Sequence, residues 1–147
     1  MTNLHAEPAL DQPYYGATIG AAVRRFFKKY ATFTGRASRS EYWWWVLAGG
    51  IVSFVLSMLI LATGAARMGS DGVWQVQGGP GVIFVVLTAI WSLAIFIPQL
   101  ALVVRRLHDS NRSGFWIFIY FVPLAGPIIL FVFMLLGSKP EGARFDR

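Results

Sequence analysis

The sequence predicts an all-α integral membrane protein: an N-terminal amphipathic helix at the membrane interface, then three hydrophobic segments, the third broken by proline and glycine. Three observations predict it. Of 147 residues, 56% are hydrophobic and only 14% are charged, with a mean hydropathy of +0.56. A soluble domain is about a quarter charged, because its surface must face water; the deficit here makes lipid the solvent for most of the chain. Residues 43–66, 81–104 and 115–136 contain no Asp, Glu, Lys, Arg or His. The thirteen Lys and Arg residues, which against seven Asp and Glu give a net charge of +6, all lie before, between or after those stretches.

Residues 1–15 carry Glu7, Pro8, Asp11 and Pro13 and no short apolar run after a basic start. They are expected to be a disordered tail rather than a cleavable signal, with the first membrane segment acting as its own targeting signal. In residues 16–33, Ile19, Val23, Phe26, Phe27, Tyr30 and Phe33 recur at helical spacing, with Arg24, Arg25, Lys28 and Lys29 largely elsewhere. That is the pattern of a basic helix lying in the interface; packing on the cytoplasmic side of the protein is a compatible alternative. Gly35 suits the end of this helix. Ser38 and Glu41 then form an S-x-x-E capping box, so a new helix should begin near Arg39.

Residues 43–66 are 24 in number, about 36 Å of helix against a hydrocarbon core of roughly 30 Å. Trp43, Trp44 and Trp45 belong at the headgroup level. Residues 67–80, rich in Gly and Gln, read as a loop with Val73–Val76 touching the interface. Residues 81–104 form the second span, where Pro98 should introduce a kink and Gln99 should face another helix. After the basic loop 105–114, residues 115–136 are interrupted by Pro123, Gly126 and Pro127. Two readings remain open: one kinked span, which is favoured, or two half-helices that turn back, each about 12–15 Å long. The tail, 137–147, is turn-rich and expected to be exposed.

Six basic residues precede the first span: Arg24, Arg25, Lys28, Lys29, Arg36 and Arg39. Arg67 alone occupies the first loop, Arg105, Arg106 and Arg112 the second, and Lys139, Arg144 and Arg147 the tail. The positive-inside rule places the N-terminus and second loop in the cytoplasm. Three full spans would put the basic tail outside, which is the best argument for the turned-back reading. Either way, the segments GRASRSEY and RRLHDSNRSG come to one face of one membrane.

Those two segments carry a resemblance. FTGRASRSEYWWW, from Phe33 to Trp45, and RRLHDSNRSG, from Arg105 to Gly114, each beside an apolar stretch, resemble a bacterial family of small inner-membrane proteins, domain of unknown function eight hundred and five. The resemblance runs from about residue 24 to the end. The tail departs from the family's glycine-asparagine-arginine-phenylalanine-glycine run, with Ala143 in place of the asparagine and Asp146 in place of the final glycine. The resemblance implies a multi-pass protein of the bacterial cytoplasmic (inner) membrane. It implies no reaction, substrate or partner.

The candidate ligand-binding residues are Arg36, Arg39, Arg105, Arg106 and Arg112. Arginine forks match phosphate, and helix N-termini favour anions. The plainer reading is that they set topology and pair with Glu41 and Asp109 as a clasp. His108 and Asp109 invite an acid–base reading, with Ser38 or Ser113 as nucleophile, but Ser38 already has a sufficient role as a helix cap, and the favoured reading of Asp109 is that it pairs with an arginine or caps the start of the third apolar segment. A metal needs three or four converging ligands; His5 is the only other histidine and there is no cysteine, so neither a metal nor a cofactor is expected. The uncharged spans argue against an ion path. The leading expectation is a non-enzymatic protein that binds anionic lipid or a partner protein through a cytoplasmic arginine-rich face. The alternatives are a membrane enzyme acting on a lipid or phosphate compound, or a minor transport component. Membrane lipids are the expected partners, with Gly49, Gly50, Ser53 and Ser57 suited to a close helix contact, within the chain or in a homo-oligomer. Nucleic acid is not expected, because the basic residues are juxtamembrane.

Overall fold

A computed structural model of the protein describes residues 7–146; residues 1–6, with His5, and Arg147 lie outside the described residues. The elements are α1 (Ile19–Lys28), α2 (Arg39–Ala62), a hairpin of β1 (Ala66–Met68) and β2 (Trp74–Val76), α3 (Val82–Asp109), a 3-10 helix over Gly114–Phe121, α4 (Ala125–Leu135) and a final 3-10 turn over Pro140–Phe145. The protein is mostly helical, with little sheet.

Helices α2 and α3, of 24 and 28 residues, are long and apolar enough to cross a membrane. A core helix of a soluble protein would bury most of its apolar surface, whereas the most hydrophobic windows of these two are 11% and 6% buried. Side chains such as Phe54 and Leu93 point outward, so their natural solvent is hydrocarbon. Helix α3 runs unbroken through Pro98, which is buried.

The chain divides into two compact units. One comprises Leu47–Phe96. Within it, Trp91 Nε1 donates to Ser53 Oγ at 3.1 Å, and Ser57 Oγ returns a bond to the Ser53 carbonyl at 2.8 Å. The stretch read from sequence as a loop contains the antiparallel hairpin, with Arg67 opposite Gln75. Asp71 Oδ1 accepts from Val73 N at 3.0 Å and Gly72 supplies a φ of +74°, which closes the turn. Three-residue strands are too short to show a period-two pattern, which is why the sequence reads as loop.

The other unit comprises the residues up to Val46 and those from Ile97 onward. Thr18 caps α1 by accepting from Ala21 N at 3.3 Å. The helix packs through Ala21, Ala22, Arg25 and Phe26, with Lys29 at its C-cap, while Ile19, Phe27, Tyr30 and Phe33 stay exposed. Phe26 stacks on Trp45 with ring centroids 3.4 Å apart, and Trp45 Nε1 donates to Gln99 Oε1 at 2.7 Å. The capping box is made in both directions: Glu41 N to Ser38 Oγ at 3.2 Å, and Ser38 N to Glu41 Oε2 at 3.0 Å. Helix α2 begins at Arg39 accordingly.

Residues 115–136 do not form one helix. The 3-10 helix has eight residues and α4 eleven, each about 16 Å long and so near half the hydrocarbon thickness. They are joined through Leu124, whose φ is +62°. A Cβ at Gly126 would run into the Ile119 carbonyl, so only glycine lets the two legs come this close. Both ends return to the last turns of α3. Gly114 lies against Val104 and His108, and the Met134 and Leu136 carbonyls accept from Arg106. Val103, Leu107 and Met134 form the buried core, flanked by Tyr42 and Trp43 of α2.

Both tails are hydrogen-bonded to the rest of this unit where they are described, although most of their residues stay exposed. The guanidinium of Arg25 collects the carbonyls of Pro8 at 2.9 Å and Gln12 at 2.6 Å, holding Pro8–Gln12 as an irregular strap. At the other end, Lys139 N donates to the Asp109 carbonyl at 2.8 Å, and Gly35 N to the Phe145 carbonyl at 2.7 Å. Exposed backbone becomes ordered here because buried arginines and the ends of α3 need those partners.

Candidate functional site

The buried charged side chains described in the second unit gather in two centres. The first is built on Glu41. Its carboxylate accepts from Arg25 Nε at 2.6 Å, Tyr14 N at 2.9 Å and Ser38 N at 3.0 Å. Arg25 and Lys29, one helical turn apart on α1, share the face that the small Ala21 and Ala22 allow to pack closely. Arg105 comes from α3, its backbone carbonyl receiving Ala37 N at 3.0 Å. Arg25, Lys29, Glu41 and Arg105 are each at most 3% exposed.

Arg25 is satisfied by Glu41 and the strap. Lys29 and Arg105 are not. Arg105 Nε donates to the Ala101 carbonyl at 3.2 Å, but its Nη2, like Lys29 Nζ, is buried with no hydrogen-bond partner among the described residues. Burial pushes the Lys29 ammonium down to about 8, the positive charge of Arg105 pushes the same way, and Glu41 pulls against both. Three buried cations thus gather about one buried carboxylate, with the partly exposed Glu7 3.5 Å from Arg25.

The second centre is built on Asp109, and it is closed. Asp109 accepts from Arg106 at 2.6 Å, from the Tyr15 hydroxyl at 3.1 Å and from Ser138 Oγ. Arg106 gives its other donors to the Met134 and Leu136 carbonyls. His108 Nδ1 lies 3.1 Å from the Gly35 carbonyl, and its ring stacks on Phe145 at 4.1 Å. Beside it, Arg36 makes a forked pair with Asp146, at 2.8 and 2.6 Å, and the hydrogen bonds to that carboxylate raise its pKa. The residue that departs from the family's final glycine therefore serves as the counter-ion of Arg36.

Of the five arginines singled out from sequence, the fold brings Arg36 and Arg106 into ion pairs. Arg112 lies over the Phe133 ring at 4.2 Å and donates to the Ser110 carbonyl. Arg39 is exposed. Only Arg105 keeps a buried donor unused. Arg25 and Lys29 were missed as site residues, although their four-residue spacing opposite the aromatic stripe was the available signal. Among the described residues, no three His, Cys, Asp or Glu side chains gather as metal ligands would.

Fold and site together define a small helical membrane protein with a basic, partly unsatisfied polar layer beside its apolar helices. It belongs to the family described as protein of unknown function (DUF805), whose model matches residues 30–147. The chain is 36% identical over 121 residues to inner membrane protein YhaH of Escherichia coli strain K12, covering 82% of this chain and 89% of that one. It is 37% identical over 118 residues to inner membrane protein YhaI of the same strain, covering 80% and 86%. No solved structure matches. This is a bacterial-type inner-membrane protein by family and by composition.

Proposed function

We propose that this protein is a non-enzymatic inner-membrane protein that binds an anionic lipid headgroup through its cytoplasmic basic face. The observation that carries the reading is Arg105, 1% exposed, with Nη2 unpartnered among the described residues. An unsatisfied buried guanidinium is costly unless a partner arrives, and a headgroup phosphate at the inner leaflet is the nearest abundant anion. Arg39, exposed at the start of α2, adds attraction from outside. Arg105→Met should insert normally yet copurify without the anionic lipid that wild type retains, as lipid extraction from the purified proteins reports. Equal retention would remove the basis of the proposal.

The topology that goes with this reading has the N-terminus in the cytoplasm, two spans, and residues 114–136 as a re-entrant hairpin that enters and leaves on the cytoplasmic side. Its supports are the half-thickness legs, the return of both ends to α3, and the basic tail, which then obeys the positive-inside rule. Helix α1 lies in the interface with Ile19, Phe27, Tyr30 and Phe33 toward the lipid. The chain has no cysteine, so one introduced as Glu141→Cys is a clean reporter. In intact spheroplasts it should resist a membrane-impermeant maleimide and react only after lysis. Labelling before lysis would instead favour three full spans.

A further inference from the structure

The orphaned donor of Arg105 is not alone. Lys29 Nζ is its counterpart on a different helix, and both side chains are at most 2% exposed. Both belong to the Glu41 centre: Lys29 lies one turn after Arg25, which bonds Glu41, and the Arg105 carbonyl accepts from Ala37, beside the Ser38 whose amide also bonds Glu41. Lys29 feels Arg105, Glu41, Arg25 and Asp11 as its charged neighbours. Glu41 already accepts from Arg25, Tyr14 N and Ser38 N, and neither Lys29 Nζ nor Arg105 Nη2 is bonded to it. Two cationic donors are therefore left without a hydrogen-bond partner among the described residues, and the other acids nearby, Glu7 at 3.5 Å from Arg25 and Asp11 of the strap, bond to neither. A single carboxylate or phosphodiester would neutralise one of them. A phosphomonoester carries between one and two negative charges at neutral pH and offers three acceptor oxygens, which suits one ammonium and one guanidinium donor together.

We infer that Lys29 and Arg105 form a binding site for a phosphomonoester dianion, either the headgroup of a lipid such as phosphatidic acid or free phosphate. The inference rests on the anion-binding reading above and makes Lys29 its second essential residue. The Pro8–Gln12 strap is the segment next to this centre. It is held to Arg25 through backbone carbonyls, and it brings the charge of Asp11 near Lys29. An entering dianion takes over that electrostatic role and lets the strap shift.

The test uses the full chain in phosphatidylcholine nanodiscs, with phosphatidic acid or phosphatidylglycerol doped into the bilayer, or inorganic phosphate in solution. Affinity is read from thermal protection. Wild type should bind phosphatidic acid at least about tenfold more tightly than phosphatidylglycerol, the difference expected for one further charge-assisted contact. Protection by inorganic phosphate as well identifies the free ion as sufficient; protection by phosphatidic acid alone identifies the lipid. Lys29→Met should lose about tenfold or more in affinity, while its unliganded Tm stays level or rises, because a buried unpaired charge has been removed. Lys28→Gln, an exposed charge change on the same helix, should bind as wild type.

Should Lys29→Met fail to fold, lysine-selective isotope labelling of wild type reads the same site, since the chain has three lysines. The Lys29 amine should titrate near 8 in the free protein and move upward with ligand. Undiminished binding by Lys29→Met, equal affinity for phosphatidylglycerol, or a Lys29 titration unmoved by ligand overturns the inference. If Arg105→Met abolishes binding while Lys29→Met does not, this inference alone falls. If neither variant matters, or wild type binds none of the three probes, the anion-binding reading falls with it.

Discussion

Glu41→Gln should destabilise the protein by about 3–5 kcal/mol, the cost of stranding a buried charge by removing its partner. The carboxylate is 3% exposed and lies 2.6 Å from Arg25 Nε, whereas the other acid near Arg25, Glu7, is 3.5 Å away and partly exposed. Neutralising it leaves Arg25 with only its 3.5 Å contact to the partly exposed Glu7, and removes the buried carboxylate that faces Lys29 and Arg105. It also weakens the capping box at the start of α2, a smaller loss of about 1 kcal/mol. Reversible denaturation in detergent, followed by tryptophan fluorescence, measures the sum. Glu41→Asp retains the charge on a shorter stem and should recover part of the loss. Destabilisation by Glu41→Gln under about 1 kcal/mol, the range of a surface pair, would mean that the cluster is solvated rather than buried.

Asp109→Asn should have an effect of similar size. Arg106 is 0% exposed and Asp109 is the one carboxylate it pairs with among the described residues, so the variant strands a guanidinium in the protein interior at a cost of about 3–5 kcal/mol. The control is the double variant Arg106→Met/Asp109→Leu. Replacing a buried pair by apolar residues of similar size is often neutral, so the double change should cost much less than the sum of the two single changes. Additive costs in the double-mutant cycle would show that the two side chains act independently.

These two centres differ in how far sequence alone revealed them. The Ser38–Glu41 box is local, three residues apart and followed by an apolar run, so both the start of α2 and the partnership of its cap are legible. The lengths of the two long apolar helices are legible for the same reason: hydrocarbon thickness sets a minimum run and charge marks its ends. The pairing of Arg36 with Asp146, 110 residues apart, is not a pattern in the chain and could be named only after folding. Helix α1 misleads for a different physical reason. Its aromatic stripe is more hydrophobic than its alanine face, yet packing against neighbours requires small residues. The face that is buried therefore carries Ala21, Ala22, Arg25, Phe26 and Lys29. A search for buried positions by hydrophobicity passes over the two cations there. In residues 115–136, Pro123 and Gly126 mark a break, but whether the legs continue or return depends on Arg106 reaching the carbonyls at the end of α4.

The central claim is that the buried basic centre holds an anion. Native mass spectrometry of the protein released from its own membranes in mild detergent tests it most directly. The account predicts a stoichiometric adduct with the mass of a phosphate-bearing lipid or of phosphate on wild type, absent from Arg105→Met prepared in parallel. A bare wild-type protein, or the same adduct on both, would contradict it.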